Sequence, residues 1–461
     1  MSYLRSYLLK GADWLMTGKV DTLSLLNNMD IRISDGVIAE ISENITPLPN
    51  ESIINVAGCV IYPGIVNTHH HVFQSLLKAI PNSLCLSLGE WLQAVPAIYA
   101  RTFDTTTWRI AIQVAFCELL LGGATACADH HYLYYDDTSS EMTDIFFEEA
   151  ESFGIKVSLC RGFSLRKKSH TNFDRQVEHS ETMSQLFERI EDTVNRYHQL
   201  DDNNMRSVAL APGSPFHSCD IEDLHELAQF ARTHAIRMHS HLSETIEDYV
   251  DFCRERYARL PVEVLAENDW LGPDVWFAHV VHISESEIKL LAETQTGVAH
   301  CPTSNARLGT GIAPITQMLA RGIKVGIGVD GAASAEISNA MNEVYLAMLL
   351  QKSQNGPKAM DWPTAVAMGS LAGAEIAGFN NTGTIDVGKS ADLVVYDLDG
   401  LGSEGFNTPA LSPLLTAGRI PIRASFVNGR KVVEDNKVLG IDPFHLADKA
   451  KKSLNLLMRG G

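Results

Sequence analysis

The chain has 461 residues, 45% of them hydrophobic and 20% charged, which is ordinary for a globular enzyme and more than one compact core usually holds. Its 37 Lys+Arg against 56 Asp+Glu give a net charge of −19, a surface that repels nucleic acid and anionic membranes and so argues against both as partners. No apolar run reaches the length of a membrane span, and no signal peptide is expected from the N-terminal residues, so a cytoplasmic location is expected. The eight cysteines (Cys59, Cys85, Cys117, Cys127, Cys160, Cys219, Cys253 and Cys301) form no CxxC pair and read as reduced thiols.

In chain order, residues 1–58 read as short strands and turns. Asp30–Ile33 and Val37–Ile41 alternate polar and apolar around a Ser34-Asp35-Gly36 turn, a β-hairpin pattern. From about residue 59 the pattern changes to strands alternating with helices. Strands are expected at Val60–Val66, Ala124–Asp129, Lys156–Arg161, Ser207–Pro212, Ile236–His241, Val275–His279, Gly297–Cys301 and Lys324–Asp330. Helices lie between them, among others at Thr107–Leu121, Glu222–Ala235 and Ser284–Glu293. Eight such units predict an α/β fold, a (β/α)8 TIM-like barrel spanning 59–380. Strand and turn patterns return over 381–442, including an Asn428-Gly429 hairpin turn. The two β-rich ends are expected to pair into a small discontinuous β-sandwich domain of 1–58 and 381–442, followed by a C-terminal helix in 443–461.

In such a barrel the active site lies at the carboxyl ends of the strands, and metal-capable residues cluster there. Strand one ends in Asn67-Thr68-His69-His70-His71. Side chains alternate along a strand, so His69 and His71 share one face. Strand five ends at His241, strand six at His279 and strand eight at Asp330. His69, His71, His241 and Asp330 offer three nitrogens and one oxygen, a set that suits Zn²⁺ and also Fe²⁺ or Mn²⁺. Glu244, three residues after His241, is placed for general acid/base work, or else as a first-turn acid of the next helix. His279 is a candidate to orient a water or substrate, or else a core histidine. His239 is expected to be structural. The glycines around Asp330 allow a close backbone approach or a tight turn.

Together these stretches resemble the amidohydrolase superfamily, in its cytosine deaminase/chlorohydrolase-like branch. The resemblance rests on Pro63–His71, His239–Glu244, Ala278-His279, Ala299–Asn305 and Gly328–Gly331, and spans nearly the whole chain. It implies one divalent metal ion, Zn with Fe or Mn as alternatives, surrounded by His69, His71, His241 and Asp330. It implies that Glu244 takes a proton from water and passes it to a ring nitrogen. His279 would orient the hydroxide, and Asp330 would relay the second proton to departing ammonia. The segment Ala209–Gly213 offers no lysine to bridge two metals, which argues against a binuclear site.

Within the branch, His71–Leu76, Asp129–Tyr135 and Cys160–Gly162 are similar to members that act on oxidised purines and pterins. The substrate this implies is a bicyclic heterocycle, isoxanthopterin or 8-oxoguanine, losing an amine as ammonia. Gln74, Trp91, Tyr132 and Arg161 are the candidate substrate-binding residues: amide pairing for Gln74, a ring carbonyl for Arg161, stacking for Trp91 and Tyr132. Each has a structural alternative, such as a helix cap for Gln74 or a carboxylate partner for Arg161. A triazine chloro- or aminohydrolase, another cyclic C–N hydrolase, and a barrel without chemistry are competing readings. A homo-oligomer, dimer or higher, is expected.

Overall fold

The computed structural model describes residues 6–21, 24–165 and 180–460. Eight parallel strands close into a barrel: Ile65–His71, Ala124–His131, Lys156–Phe163, Arg206–Pro212, Arg237–Leu242, Val275–His279, Gly297–His300 and Val325–Ile327. The last strand pairs back onto the first, Ile327 with Asn67. Helices cover the outside, so most strands are buried on both faces and read as apolar runs. The helix ends are legible: Asp104 caps Thr105–Leu121 by accepting from Thr107 N, and Ser284 forms a capping box with Glu287.

The sequence pattern suggests one strand over Val60–Val66. The chain instead breaks at Gly64. Cys59–Pro63 belongs to a second sheet, and the barrel strand begins at Ile65. A Cβ on Gly64 would lie 2.0 Å from Thr125 Oγ1, so only glycine fits this hand-over. The second sheet is built from both chain ends, with Tyr7–Met16, Leu25–Ser34 and Val37–Ser42 joined through Cys59–Pro63 to Leu393–Asp397, Ile422–Val427 and Arg430–Glu434. It curls over its own core, so that Tyr7 and Phe426, on strands that are not neighbours, bring their rings to 5.3 Å. The C-terminal helix Pro443–Gly460 packs on Thr105–Leu121.

The last barrel strand also differs from the continuous Lys324–Asp330 expected. Val325–Ile327 ends, and Asp330-Gly331 then pairs with His70-His71 of the first strand. Asp330 takes a positive φ of 64°, a costly conformation for a non-glycine residue that brings it beside the first strand's histidines.

Candidate metal centre

Four side chains converge at the carboxyl end of the barrel. One ligand atom each from His69, His71, His241 and Asp330 lies within 4.8 Å of the others. Asp330 Oδ1 is 3.3 Å from His69 Nε2 and 3.1 Å from His71 Nε2, and His71 Nε2 is 3.2 Å from His241 Nε2.

The partners of the far ring nitrogens fix the tautomers. His71 Nδ1 donates to His130 O at 2.7 Å, and His241 Nδ1 donates to Gly213 O at 2.6 Å. Carbonyls only accept, so each of these rings leaves Nε2 as a lone pair. His239 Nδ1 donates to Trp276 O at 2.9 Å, so its Nε2 accepts from His69 Nδ1 at 2.7 Å. His69 Nε2 is then a third lone pair, buried and without a hydrogen-bond partner. Three imidazole lone pairs and a carboxylate oxygen in so small a space repel one another unless a cation or proton lies between them. That is the condition a divalent ion fits.

The electrostatics agree. Burial holds His69 and His241 well below the ordinary histidine value, hence neutral. Burial opposes ionisation of Asp330, yet the His69 and His71 imidazoles hold its carboxyl well below the usual range. Burial works against a charge on His71 too, but Asp330 outweighs it and raises that pKa, so a cation or a proton satisfies the pair.

Glu244 and His279 stand next to this cluster. Their nearest atoms, Glu244 Oε2 and His279 Nε2, are 3.6 Å apart. His279 Nδ1 donates to Asn305 Oδ1 at 2.8 Å, which leaves its Nε2 a buried, unpartnered acceptor. Burial pushes the Glu244 carboxyl up to about 7, only partly offset by His279. Ser243 and His279 both have positive φ, so the backbone is bent at the two strand ends that present these groups.

Of the four candidate substrate-binding residues, Tyr132 packs on His71 and Gln74 on Tyr132. Gln74 Nε2 donates to Tyr132 Oη at 3.1 Å, and the Tyr132 ring is 5.0 Å from that of His71. Gln74 lies in the short 3₁₀ turn Val72–Leu76, and its Oε1 is buried without a partner. It packs over Gly331, where any Cβ would come within 1.8 Å of Oε1. Trp91 is buried in Leu88–Ala94 with its indole N–H unpartnered. Arg161 is 2% exposed, forms a two-toothed ion pair with Glu181 at 2.5 and 2.6 Å, and lies 3.9 Å over the Tyr134 ring. The carboxylate partner weighed from the sequence is therefore present.

Two further groups were not singled out from the sequence. Ser304 Oγ donates to Asp330 Oδ2 at 2.5 Å, and Asn305 holds His279. Both stand in the stretch Ala299–Asn305, but their partners come from other strands, so spacing alone gave no hint of what they touch. At Gly328 the close-approach reading applies: a Cβ there would lie 2.8 Å from Cys301 Sγ and 2.9 Å from His69 Cβ.

Comparison with known proteins agrees with this geometry. The Amidohydrolase family model matches residues 60–432. The chain belongs to the amidohydrolase family. It is 38% identical to an isoxanthopterin deaminase from an unknown prokaryotic organism, covering 98% of each chain. It is 35% identical to the 8-oxoguanine deaminase of Pseudomonas aeruginosa, covering 89% of this chain and 90% of that one. Among solved structures, an amidohydrolase from an environmental sample of the Sargasso Sea superposes with a TM-score of 0.85 at 35% identity, over 98% of this chain and 99% of that one. The atrazine chlorohydrolase TrzN of Arthrobacter aurescens, solved with zinc, superposes with a TM-score of 0.89 at 25% identity, over 97% and 100%. This amidohydrolase is a metal-dependent hydrolase of cyclic C–N bonds, and no helix among its described residues is long and apolar enough to cross a membrane.

Proposed function

We propose that this amidohydrolase deaminates a bicyclic heterocycle, isoxanthopterin first and 8-oxoguanine second, by hydrolysis to the ring carbonyl and ammonia. The observation that carries the chemistry is the convergence of three imidazole lone pairs and one carboxylate beside a buried Glu244. The substrate rests on the deaminase relatives, of which the isoxanthopterin enzyme matches over more of the chain.

In this reading His69, His71, His241 and Asp330 hold one ion, Zn²⁺ for a set of three nitrogens and one oxygen. When bound, the ion lowers the pKa of a water to about 7 and so supplies a nucleophile at neutral pH. Glu244 takes a proton from the attacking water and delivers it to the ring nitrogen beside the carbon under attack. Burial raises the Glu244 carboxyl above the ordinary carboxylate range, which favours its holding the proton between the two transfers. His279 Nε2, held by Asn305, accepts a hydrogen bond from the water and fixes the direction of attack. Asp330 receives the second proton and passes it to the amine, which leaves as ammonia. Its other oxygen stays tied to Ser304.

Gln74 meets an amide edge of the substrate, and Trp91 and Tyr132 bound its faces. Arg161 meets the distal ring carbonyl with its guanidinium held in one orientation by Glu181 and Tyr134. The enzyme is proposed to be cytoplasmic and a homo-oligomer.

Ammonia release across isoxanthopterin, 8-oxoguanine, pterin, guanine, cytosine and hydroxytriazines tests this. Highest kcat/KM on isoxanthopterin or 8-oxoguanine is expected. Preference for cytosine contradicts the bicyclic assignment, and preference for a triazine moves the enzyme to the triazine hydrolases.

A further inference from the structure

Among the three metal-facing histidines, His69 is held differently from the others. His71 and His241 each give Nδ1–H to a backbone carbonyl. His69 Nδ1 points into the barrel interior and meets a side chain, His239 Nε2, at 2.7 Å. The His239 ring is fixed on two sides. Its Nδ1–H is tied to Trp276 O at 2.9 Å, and its plane stacks on the Trp276 indole with centroids 4.4 Å apart and 19° between planes. The indole is itself anchored, donating from Nε1 to Thr68 O at 3.0 Å, back on the strand that carries His69. Room for these rings comes from a ring of small residues, Ala128, Ala209, Ala211, Ala278 and Ala299 among them, at positions where barrels usually carry large branched side chains.

We propose that His239 is a positioning residue for the metal centre: as a neutral acceptor it fixes the tautomer and ring angle of His69, so that His69 Nε2 faces the ion as a lone pair. The inference rests on the metal-centre reading above. Without the acceptor, the proton of His69 is as well placed on Nε2, where it blocks ligation. Where His71 and His241 use backbone carbonyls, His69 Nδ1 has a side-chain nitrogen as its acceptor. A histidine whose other nitrogen is locked as a donor presents a lone pair to His69 Nδ1. The neutral partner also leaves His69 a weaker donor than a carboxylate partner would, so the ion keeps more of its charge for activating water.

The test compares His239→Asn with His239→Gln. Asparagine reaches the position of Nδ1 and retains the bond to Trp276 O, but places nothing near His69. Glutamine carries a carbonyl to the position of Nε2. Zn²⁺ affinity is measured by chelator competition, and melting temperatures are taken on metal-stripped protein. Asparagine is expected to weaken Zn²⁺ binding by about 10–100-fold, and glutamine to stay within about threefold of wild type, in line with losses for outer-shell partners. The Zn²⁺ affinity of the asparagine variant is expected to fall below that of glutamine even where its metal-stripped melting temperature is the higher of the two, whereas a purely structural role would move affinity and melting temperature together. Asparagine binding like wild type, or glutamine losing as much as asparagine, overturns the inference and leaves the metal centre standing. If His239→Asn does not fold, His239→Gln alone decides: retained affinity supports the inference and loss overturns it. A wild type that takes up no ion overturns the metal-centre reading and this inference with it.

Discussion

At Glu244 two uses of a carboxylate compete, a helix-terminal acid and a proton shuttle, and the local backbone bears on which applies. The helical turns that follow begin at Ile246, and their cap is Thr245, whose side chain accepts from Asp248 N. Glu244 lies before that cap, buried, with its carboxyl toward His279. Glu244→Gln is expected to keep a full complement of metal and to lose about 10²–10⁴ in kcat, the range for a general acid–base group. Metal analysis and steady-state kinetics on the same preparation check it, and unchanged turnover returns Glu244 to a structural role. The two histidines of the first strand were legible because strand side chains alternate with period two. The hydrogen bonds of Ser304 and Asn305 were not, because no local rule says which neighbouring strand end a side chain will meet.

At the level of elements, the ends of barrel strands two and three carry Tyr132 and Arg161 of the proposed substrate wall. Glu181 binds both Arg161 and Arg189, and Arg189 also donates to the carbonyls of Tyr135 and Asp136. One buried carboxylate thus ties the third strand, the loop after the second, and the helix Met183–Tyr197. Arg161→Met is expected to lower kcat/KM on bicyclic substrates by about 1.5–3 kcal/mol, as for a lost charge-assisted hydrogen bond, and to spare activity on cytosine. Leaving Glu181 with one partner costs stability too, so melting temperature is measured alongside. A variant with normal bicyclic kinetics contradicts the role proposed for Arg161. Strands and helices were legible here from periodicity and caps. The break at Gly64 and the interrupted eighth strand were read through, because β-branched residues resume after Pro63-Gly64 and after Gly328, and only the packing of Thr125, Cys301 and His69 shows that the chain turns there.

For the whole molecule, barrel and terminal sheet are joined by a buried ion pair at the end opposite the candidate metal centre. Lys156 opens the third barrel strand, and its Nζ is 2.8 Å from Asp392 Oδ2, with both side chains essentially excluded from solvent. Asp392 also accepts from Thr382 Oγ1 and Asn428 N, and Lys156 donates to Ser390 Oγ. Removing one partner leaves the other charge buried, so Lys156→Met or Asp392→Asn is expected to cost about 3–5 kcal/mol in unfolding free energy, whereas exposed pairs such as Arg101–Asp137 are worth under about 1 kcal/mol. Denaturant unfolding of the variants checks the contrast, and equal small losses contradict it. This lock was not legible from sequence: the pairing of the two β-rich ends was, but a lysine in an apolar strand does not say which distant carboxylate neutralises it.

The claim on which the rest depends is that activity requires one ion in the His69, His71, His241 and Asp330 set. It is tested by measuring bound metal and ammonia release from isoxanthopterin together, through chelation and reloading with Zn²⁺, in wild type and in His69→Ala. The account predicts one ion per chain, activity proportional to occupancy and restored by zinc, and neither metal nor activity in His69→Ala. A fully active metal-free preparation would contradict it.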